Sequence, residues 1–331
     1  MPDPQPIHVY FALLPGSLVL DWAGPAEALR IANQALARQG QPERFVLHFV
    51  SPTQQSVTSV GALLTGLEPL PDALAPSAWV VLVGLVGKRI DVAGDEARAL
   101  LHWLRGLRPV AGQLELITVC AGALLAAHAG LLTGRRATTH HLHLHELATV
   151  DPHCDVVANR VFVADGAVYS SAGVTTGIDL LLHRISDTCG PALAAQVAQS
   201  MVVALRRGPN DPEFSPFLHH RNHLHPALHR VQDAVSQQPQ ADWSVPQMAE
   251  AAHTSPRHLT RLFLEHAGIA PLQYLRRIRL ATAEAALRSG QNVTQAALMA
   301  GFSSDTQLRR AWHQFGREGT PSQGAAPGRS H

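Results

Sequence analysis

The sequence predicts an α/β domain built on a mainly parallel sheet, followed by an all-helical domain. Three observations predict it. Through about residue 205, short β-rich or wholly apolar runs alternate with helical stretches. Between Arg206 and Pro226 four prolines and many polar side chains break that alternation. Beyond Pro226, Ala, Leu and Arg recur at helical spacing with no strand-like alternation,. The expected organisation is therefore a domain over 1–205, a linker over 206–225, a helical domain over 226–321 and a Gly/Pro/Ser-rich, disordered tail over 322–331.

Taken in order, Ile7–Leu14 reads as a strand, Pro25–Arg38 as a helix and Arg44–Ser51 as a second strand. Ala78–Val83 is an uninterrupted apolar run, the pattern of a strand buried on both faces,. Asp95–Gly106 reads as a helix. Leu114–Val119 is an apolar strand that runs at once into a helix over Gly122–Ala129. Val161–Ala164 and Ala167–Ser171 form a hairpin across Asp165–Gly166, and helices follow over Thr176–Asp187 and Pro191–Leu205,.

The helical domain contains two similar units, Val245–Gly268 and Val293–Gly316, each reading as helix, tight turn, helix. In the first, Ser255 is the expected N-cap and Pro256 the first helical residue, where its missing N–H costs nothing. Leu259, Leu262 and Phe263 form the inward face, and Arg257, His258 and Arg261 the outward one. In the second, Gly301 makes the turn and Ser304 the cap. Leu308, Ala311, Trp312 and Phe315 point inward, with Thr306, Gln307, Arg309 and Arg310 outward. A long helix over about Leu272–Ser289 joins the units, with Leu275, Ile278, Thr282 and Ala285 as its expected stripe.

Charge separates the two parts. Residues 1–205 carry 12 Lys+Arg against 16 Asp+Glu, and residues 206–331 carry 14 against 9. A basic helical part on an acidic body points to a polyanionic partner. A helix-turn-helix meets that partner by laying its second helix in the major groove, where arginine bonds guanine or phosphate. The candidate DNA-contacting residues are Ser255, Arg257, His258, Arg261, Ser304, Thr306, Gln307 and Arg310. Arg276, Arg277 and Arg279 read as phosphate contacts or intradomain ion pairs.

A hydrophobic content of 46% excludes whole-chain disorder,. The longest apolar run, Ala78–Val86, is far short of the ~20 residues that cross a bilayer. Met1–Pro6 lacks positive charge, and Pro15, Gly16 and Asp21 interrupt the apolar stretch after it, so no signal peptide is expected,. Three cysteines at 120, 154 and 189 fit reduced thiols and a cytoplasmic location,.

The segment from Ser255 to Pro321 carries S-x-R-x-L-x-R-x-F, P-x-x-Y-L, R-L-x-x-A and A-x-x-x-G-F elements in order. It resembles the AraC/XylS family of transcription regulators. The resemblance implies two helix-turn-helix units entering neighbouring major grooves of promoter DNA, with RNA polymerase as a further candidate partner. Three positions depart from the family pattern: Ala270 stands before Pro271, Leu308 replaces an aromatic, and the loop Arg317–Gly319 is longer.

Cys120 falls between an apolar strand and a helix, a turn that holds a nucleophile or buries an inert thiol. The blocks LDWAGPAEAL, VCAGALLAAHAGLLTGRRATTHH and VADGAVYSSAGVTTGIDLLLH resemble the PfpI-type domain of the class I glutamine-amidotransferase-like superfamily, whose sheet is flavodoxin-like. A PfpI-type domain ahead of an AraC-type domain is the layout of the GlxA-like regulators. The resemblance makes Cys120 the elbow cysteine, Glu27 the carboxyl beside it and His140 a histidine of the same pocket, with Ser171–Thr176 as further polar anchors.

The implied function is a homodimeric, effector-responsive regulator whose N-terminal domain senses a small, nitrogenous metabolite, although 5% aromatics is little for a cation cage,. PfpI-type hydrolases carry a histidine directly after the nucleophile. Here that position is Ala121, so no catalysis is expected. The alternative is a PfpI-like cysteine amidohydrolase or an isonitrile-hydratase-like enzyme with an appended DNA-binding domain. No cofactor is expected. The histidine clusters at 140–145 and 219–229 lack defined ligand spacing, so no metal is expected either,.

Overall fold

The computed structural model describes residues 5–203, 208, 209, 220, 223, 225–288, 290–315, 320 and 321. Most of the expected linker, the 317–319 loop and the expected tail lie outside the described residues. The chain divides into two compact units, Met1–Glu213 and Phe214–His331.

The first unit is an α/β sandwich. Its strands are β1 (Ile7–Ala12), β2 (Phe45–Val50), β3 (Gln55–Val57), β4 (Leu63–Thr65), β5 (Ala78–Leu82), β6 (Leu114–Val119), β7 (Arg136–Ala137), β8 (Asp155–Val156), β9 (Phe162–Asp165) and β10 (Val168–Ser171). Its helices are α1 (Val19–Arg38), α2 (Asp95–Arg105), α3 (Gly122–His128), α4 (Leu144–Val150), α5 (Thr175–Cys189) and α6 (Pro191–Ser200). Six strands form one sheet in the order β2-β1-β5-β6-β10-β9, parallel except for the β9–β10 hairpin. The apolar run at 78–82 becomes β5, buried along its whole length in the middle of the sheet. Ala12 pairs with Leu82, and Leu82 with Thr118, so the carboxyl ends of β1, β5 and β6 lie level. In open α/β sheets this is the edge where ligands bind.

Helix α1 begins at Val19, six residues before the expected start at Pro25. Proline has no N–H for the carbonyl four residues back, which favours a first-turn reading. Here Pro25 sits inside the helix, and the first turn is anchored by the Asp21 side chain instead. The small β3–β4 hairpin and the β7–β8 pair are short enough to leave no periodic signal. No helix among the described residues is long and apolar enough to cross a membrane.

The second unit holds α7 (Pro226–Gln237), α8 (Val245–Ala251), α9 (Pro256–Leu262), α10 (Pro271–Arg288), α11 (Val293–Met299) and α12 (Asp305–Gln314). A π-helical turn, Phe263–Ala267, extends α9 and ends at Gly268. The two helix-turn-helix pairs are α8–α9 and α11–α12. The first helix of each starts with a capping box, Ser244 with Gln247 and Asn292 with Gln295,. The second helix of each starts on a serine cap, whose Oγ accepts the N–H of His258 (Ser255) or Gln307 (Ser304), both at 3.3 Å.

Each pair has its own core, and α10 serves both. Tyr274, Leu275 and Ile278 pack on α8 and α9. Leu280, Ala283, Ala286 and Leu287 pack on α11 and α12. The expected single stripe through Thr282 and Ala285 is not what forms: Ala285 is exposed. At 100° per residue Leu287 lies roughly opposite Ile278, so the two pairs grip opposite faces of the helix. Gly301 (φ +79°) closes the second turn. A Cβ there would lie 2.6 Å from Gln240 Cα, so this turn packs directly on the loop before α8.

Candidate functional site

In the first unit the carboxyl edge of the sheet converges on Cys120. It follows β6 directly, with φ of 56°, a conformation costly for any residue with a Cβ,. Its N–H donates to Ser171 O at 3.0 Å, and its carbonyl accepts the Thr139 hydroxyl at 2.8 Å. Gly173 closes over it, and a Cβ at that position would lie 2.7 Å from the Cys120 Sγ.

The carboxyl beside the thiol is Asp21. Its Oδ2 accepts the Gly84 N–H at 3.0 Å, its Oδ1 accepts the Val174 N–H at 2.9 Å, and it is hydrogen-bonded to the Cys120 side chain. Burial raises the Asp21 pKa, opposed by the bonds from Val174, Gly84 and Cys120,.

Glu27 does not occupy this place. It is exposed and paired with Arg30, whose Nε donates to it at 2.9 Å and which lowers its pKa. Asp21 and Glu27 are six residues apart on α1, a rotation that turns Glu27 away from the face carrying Asp21. The sequence signal for Asp21 was an acid inside an apolar run just before a helix, a position that demands buried partners.

His140 sits half-buried one residue beyond Thr139. Its Nδ1 accepts the Leu142 N–H at 3.4 Å, and burial, with His141 and His143 nearby, lowers its pKa to about 4. Thr139 is the residue of this segment whose side chain bonds Cys120. Within Ser171–Thr176, the Thr176 hydroxyl closes a local turn on Gly173. The hydroxyls of Thr118, Thr138 and Ser171 are fully buried with no hydrogen-bond partner among the described residues, an unused polar capacity around the elbow,. Ala121, next to Cys120, offers no base.

Some of the clustered histidines pair with neighbours. His143 bonds Glu146 at 2.8 Å, and His229 Nε2 bonds His223 O at 2.7 Å. His219 lies outside the described residues. Among the described residues no group of three or more His, Cys, Asp or Glu is placed to hold a metal.

In the second unit, Ser255, Arg257, His258 and Arg261 are exposed on α9 and its cap, and Ser304, Thr306, Gln307 and Arg310 on α12 and its cap. Ser255 and Ser304 use their hydroxyls on the caps. Gln307 Oε1 accepts the Ser303 N–H at 2.8 Å. Arg261 is braced by Glu265 at 3.6 Å and His258 at 3.1 Å. Arg279 makes no salt bridge with any described residue. It donates to the carbonyls of Pro239 and Ala241, both at 2.8 Å. Arg277 lies 5.7 Å from the Phe315 ring.

Comparison with known proteins agrees with both units. The DJ-1/PfpI family matches residues 35–187, and a helix-turn-helix domain family matches residues 248–323. The chain is 29% identical over 313 residues to the HTH-type transcriptional regulator CdhR of Pseudomonas aeruginosa, covering 92% of this chain and 87% of that protein. It is 30% identical over 260 residues to the HTH-type transcriptional regulator Rv1931c of Mycobacterium tuberculosis, covering 72% and 90%. A shorter match, 36% over 107 residues, joins it to isonitrile hydratase of Pseudomonas putida, covering 32% of this chain and 44% of the enzyme. The chain belongs to the family of AraC-type helix-turn-helix transcriptional regulators that carry a DJ-1/PfpI domain ahead of the DNA-binding domain.

Proposed function

We propose that the protein binds promoter DNA through α9 and α12 and that a small-molecule effector, bound at the Asp21–Cys120 centre, controls that binding. The observation that carries the DNA part is the repeat: two serine-capped helices, each with an exposed polar and basic face, mounted on one shared helix. The effector part rests on the buried carboxyl–thiol pair and the three unused hydroxyls, the few polar anchors a ligand site needs,. A nitrogenous metabolite, able to donate to Asp21, suits this set.

The strained thiol beside a carboxyl, together with the isonitrile hydratase match, favours a PfpI-like amidohydrolase or isonitrile-hydratase-like enzyme as the second reading,. Ala121 offers no base, and burial that lowers the His140 pKa to about 4 leaves its imidazole a weak one, which argues against it,. Incubating wild type and Cys120→Ser with a bound effector and following it by mass spectrometry decides between them. An unchanged effector supports the sensor. Many turnovers by wild type alone would replace it with the enzyme.

The protein acts in this reading as a homodimer. The first unit exposes Val57 and Leu63, paired across the β3–β4 hairpin, with Val60, Val86 and Leu20 nearby. Gly16 laces them together, its N–H bonding Val57 O and its carbonyl accepting the Val86 N–H. An apolar patch of this kind marks an association surface. Dimerisation presents two DNA-binding units at once, which raises the effective concentration of the second.

A further inference from the structure

We propose that the cleft between α10 and α12 holds one phosphate of the DNA backbone, gripped jointly by Arg276 and Arg310. Arg310 then fixes the protein's position on the duplex and does not read a base. This deepens the DNA-binding reading above and rests on it.

The cleft has a volume of about 350 Å³. Arg276 and Arg279 reach it from α10, Gln307 and Arg310 from α12, and Trp243 from the loop before α8. Three arginines line it, and no Asp or Glu is among the lining residues. Only Arg279 is committed, to its two backbone carbonyls. Arg276 and Arg310 are exposed and make no hydrogen bond or ion pair with any described residue. Gln307 has its oxygen tied to Ser303, which leaves its NH2 donors for a ligand.

Two unpaired cations facing one cleft repel each other unless an anion lies between them. A phosphate satisfies both, since each guanidinium presents parallel donors matched to its oxygens. Arg261 provides the contrast. Its guanidinium is already engaged by Glu265 and His258 on the outer face of α9.

The test uses the full chain, with fluorescence anisotropy on random duplex DNA and on a site recovered by in vitro selection. Arg276→Ala and Arg310→Ala should each weaken both DNAs by a similar factor, roughly tenfold. Each should also lower the slope of log K against log salt by about one. Because they share one phosphate, the double variant should lose little more than either single one. Arg276→Lys should restore the slope.

A loss confined to the selected site in Arg310→Ala would make it a base reader and overturn the proposal. So would an unchanged slope in Arg276→Ala. Calorimetry with inorganic pyrophosphate tests the other source of the same chemistry. Binding that Arg276→Ala abolishes while DNA affinity stays intact would assign the cleft to a free phosphorylated molecule. Wild type that binds no duplex at low salt would overturn both this proposal and the reading beneath it.

Discussion

Asp21 in the first turn of α1 and Cys120 at the end of β6 are hydrogen-bonded to each other in the interior of the first unit. The same carboxylate accepts the N–H groups of Gly84 and Val174, so one side chain ties together the start of a helix, the loop after β5 and the loop before α5. Whatever alters the charge or position of Asp21 is felt in all three.

Asp21→Ala leaves the buried Gly84 N–H and the part-buried Val174 N–H without an acceptor and should destabilise the protein by about 1–3 kcal/mol,. Glu27→Ala removes an exposed ion pair and should change stability by less than about 0.5 kcal/mol. Urea unfolding of the two variants beside wild type checks this. Equal losses would mean that Asp21 is not the anchor described.

His140 should make the protein acid-labile. Its imidazole titrates at about 4 in the folded protein and near 6.5 when unfolded. Between those values the unfolded chain holds a proton that the folded protein does not. The contribution is whole above pH 6.5 and is lost as the pH falls toward 4. His140→Gln should therefore show a smaller drop in urea midpoint between pH 7 and pH 5 than wild type. Identical drops would remove His140 from the account.

Arg279→Ala should act on stability and not on DNA contact. It deprives two carbonyls of a charged donor and should cost on the order of 2 kcal/mol. Arg279→Lys should rescue little, because an ammonium cannot span both carbonyls as the planar fork does. Thermal unfolding followed by circular dichroism distinguishes this from a variant that unfolds normally but binds DNA poorly.

If the protein is the homodimer proposed above, Val60→Glu combined with Leu63→Glu should give a monomer in light scattering at micromolar concentration, with helix content unchanged. These side chains are exposed in the single chain, so the substitution leaves its core intact. A dimer that persists would move the interface elsewhere.

Much of the architecture is legible because local and tertiary demands coincide. Leu114–Val119 is mostly apolar and becomes an interior strand with the expected limits. Ser255, Pro256 and Gly301 are each the residue their turn requires. The differences from the sequence reading come from residues whose role is set at a distance. Pro25 carries the local signature of a helix start, yet Asp21 bonds Gly84 and Val174 far along the chain and sustains the helix ahead of it. Ala285 continues the stripe of Leu275 and Ile278, yet α11 and α12 dock on the other side of α10. The carboxyl partner of Cys120 was missed for the same reason: two acids lie close in sequence, and only the phase of α1 selects between them.

The opposed grips on α10 make that helix a timing element. The orientation of α12 relative to α9 is written in the number of residues separating Ile278 from Leu280 and Leu287. Inserting one alanine after Arg279 would leave the apolar side chains of both cores unchanged, yet turn one half about the helix axis by about 100° relative to the other. Such a protein would keep its helix content and lose the ability to engage two successive grooves together. In the DNA-binding reading proposed above, the angle between the two outward helices is thus set as rotation, counted one residue at a time along a single helix.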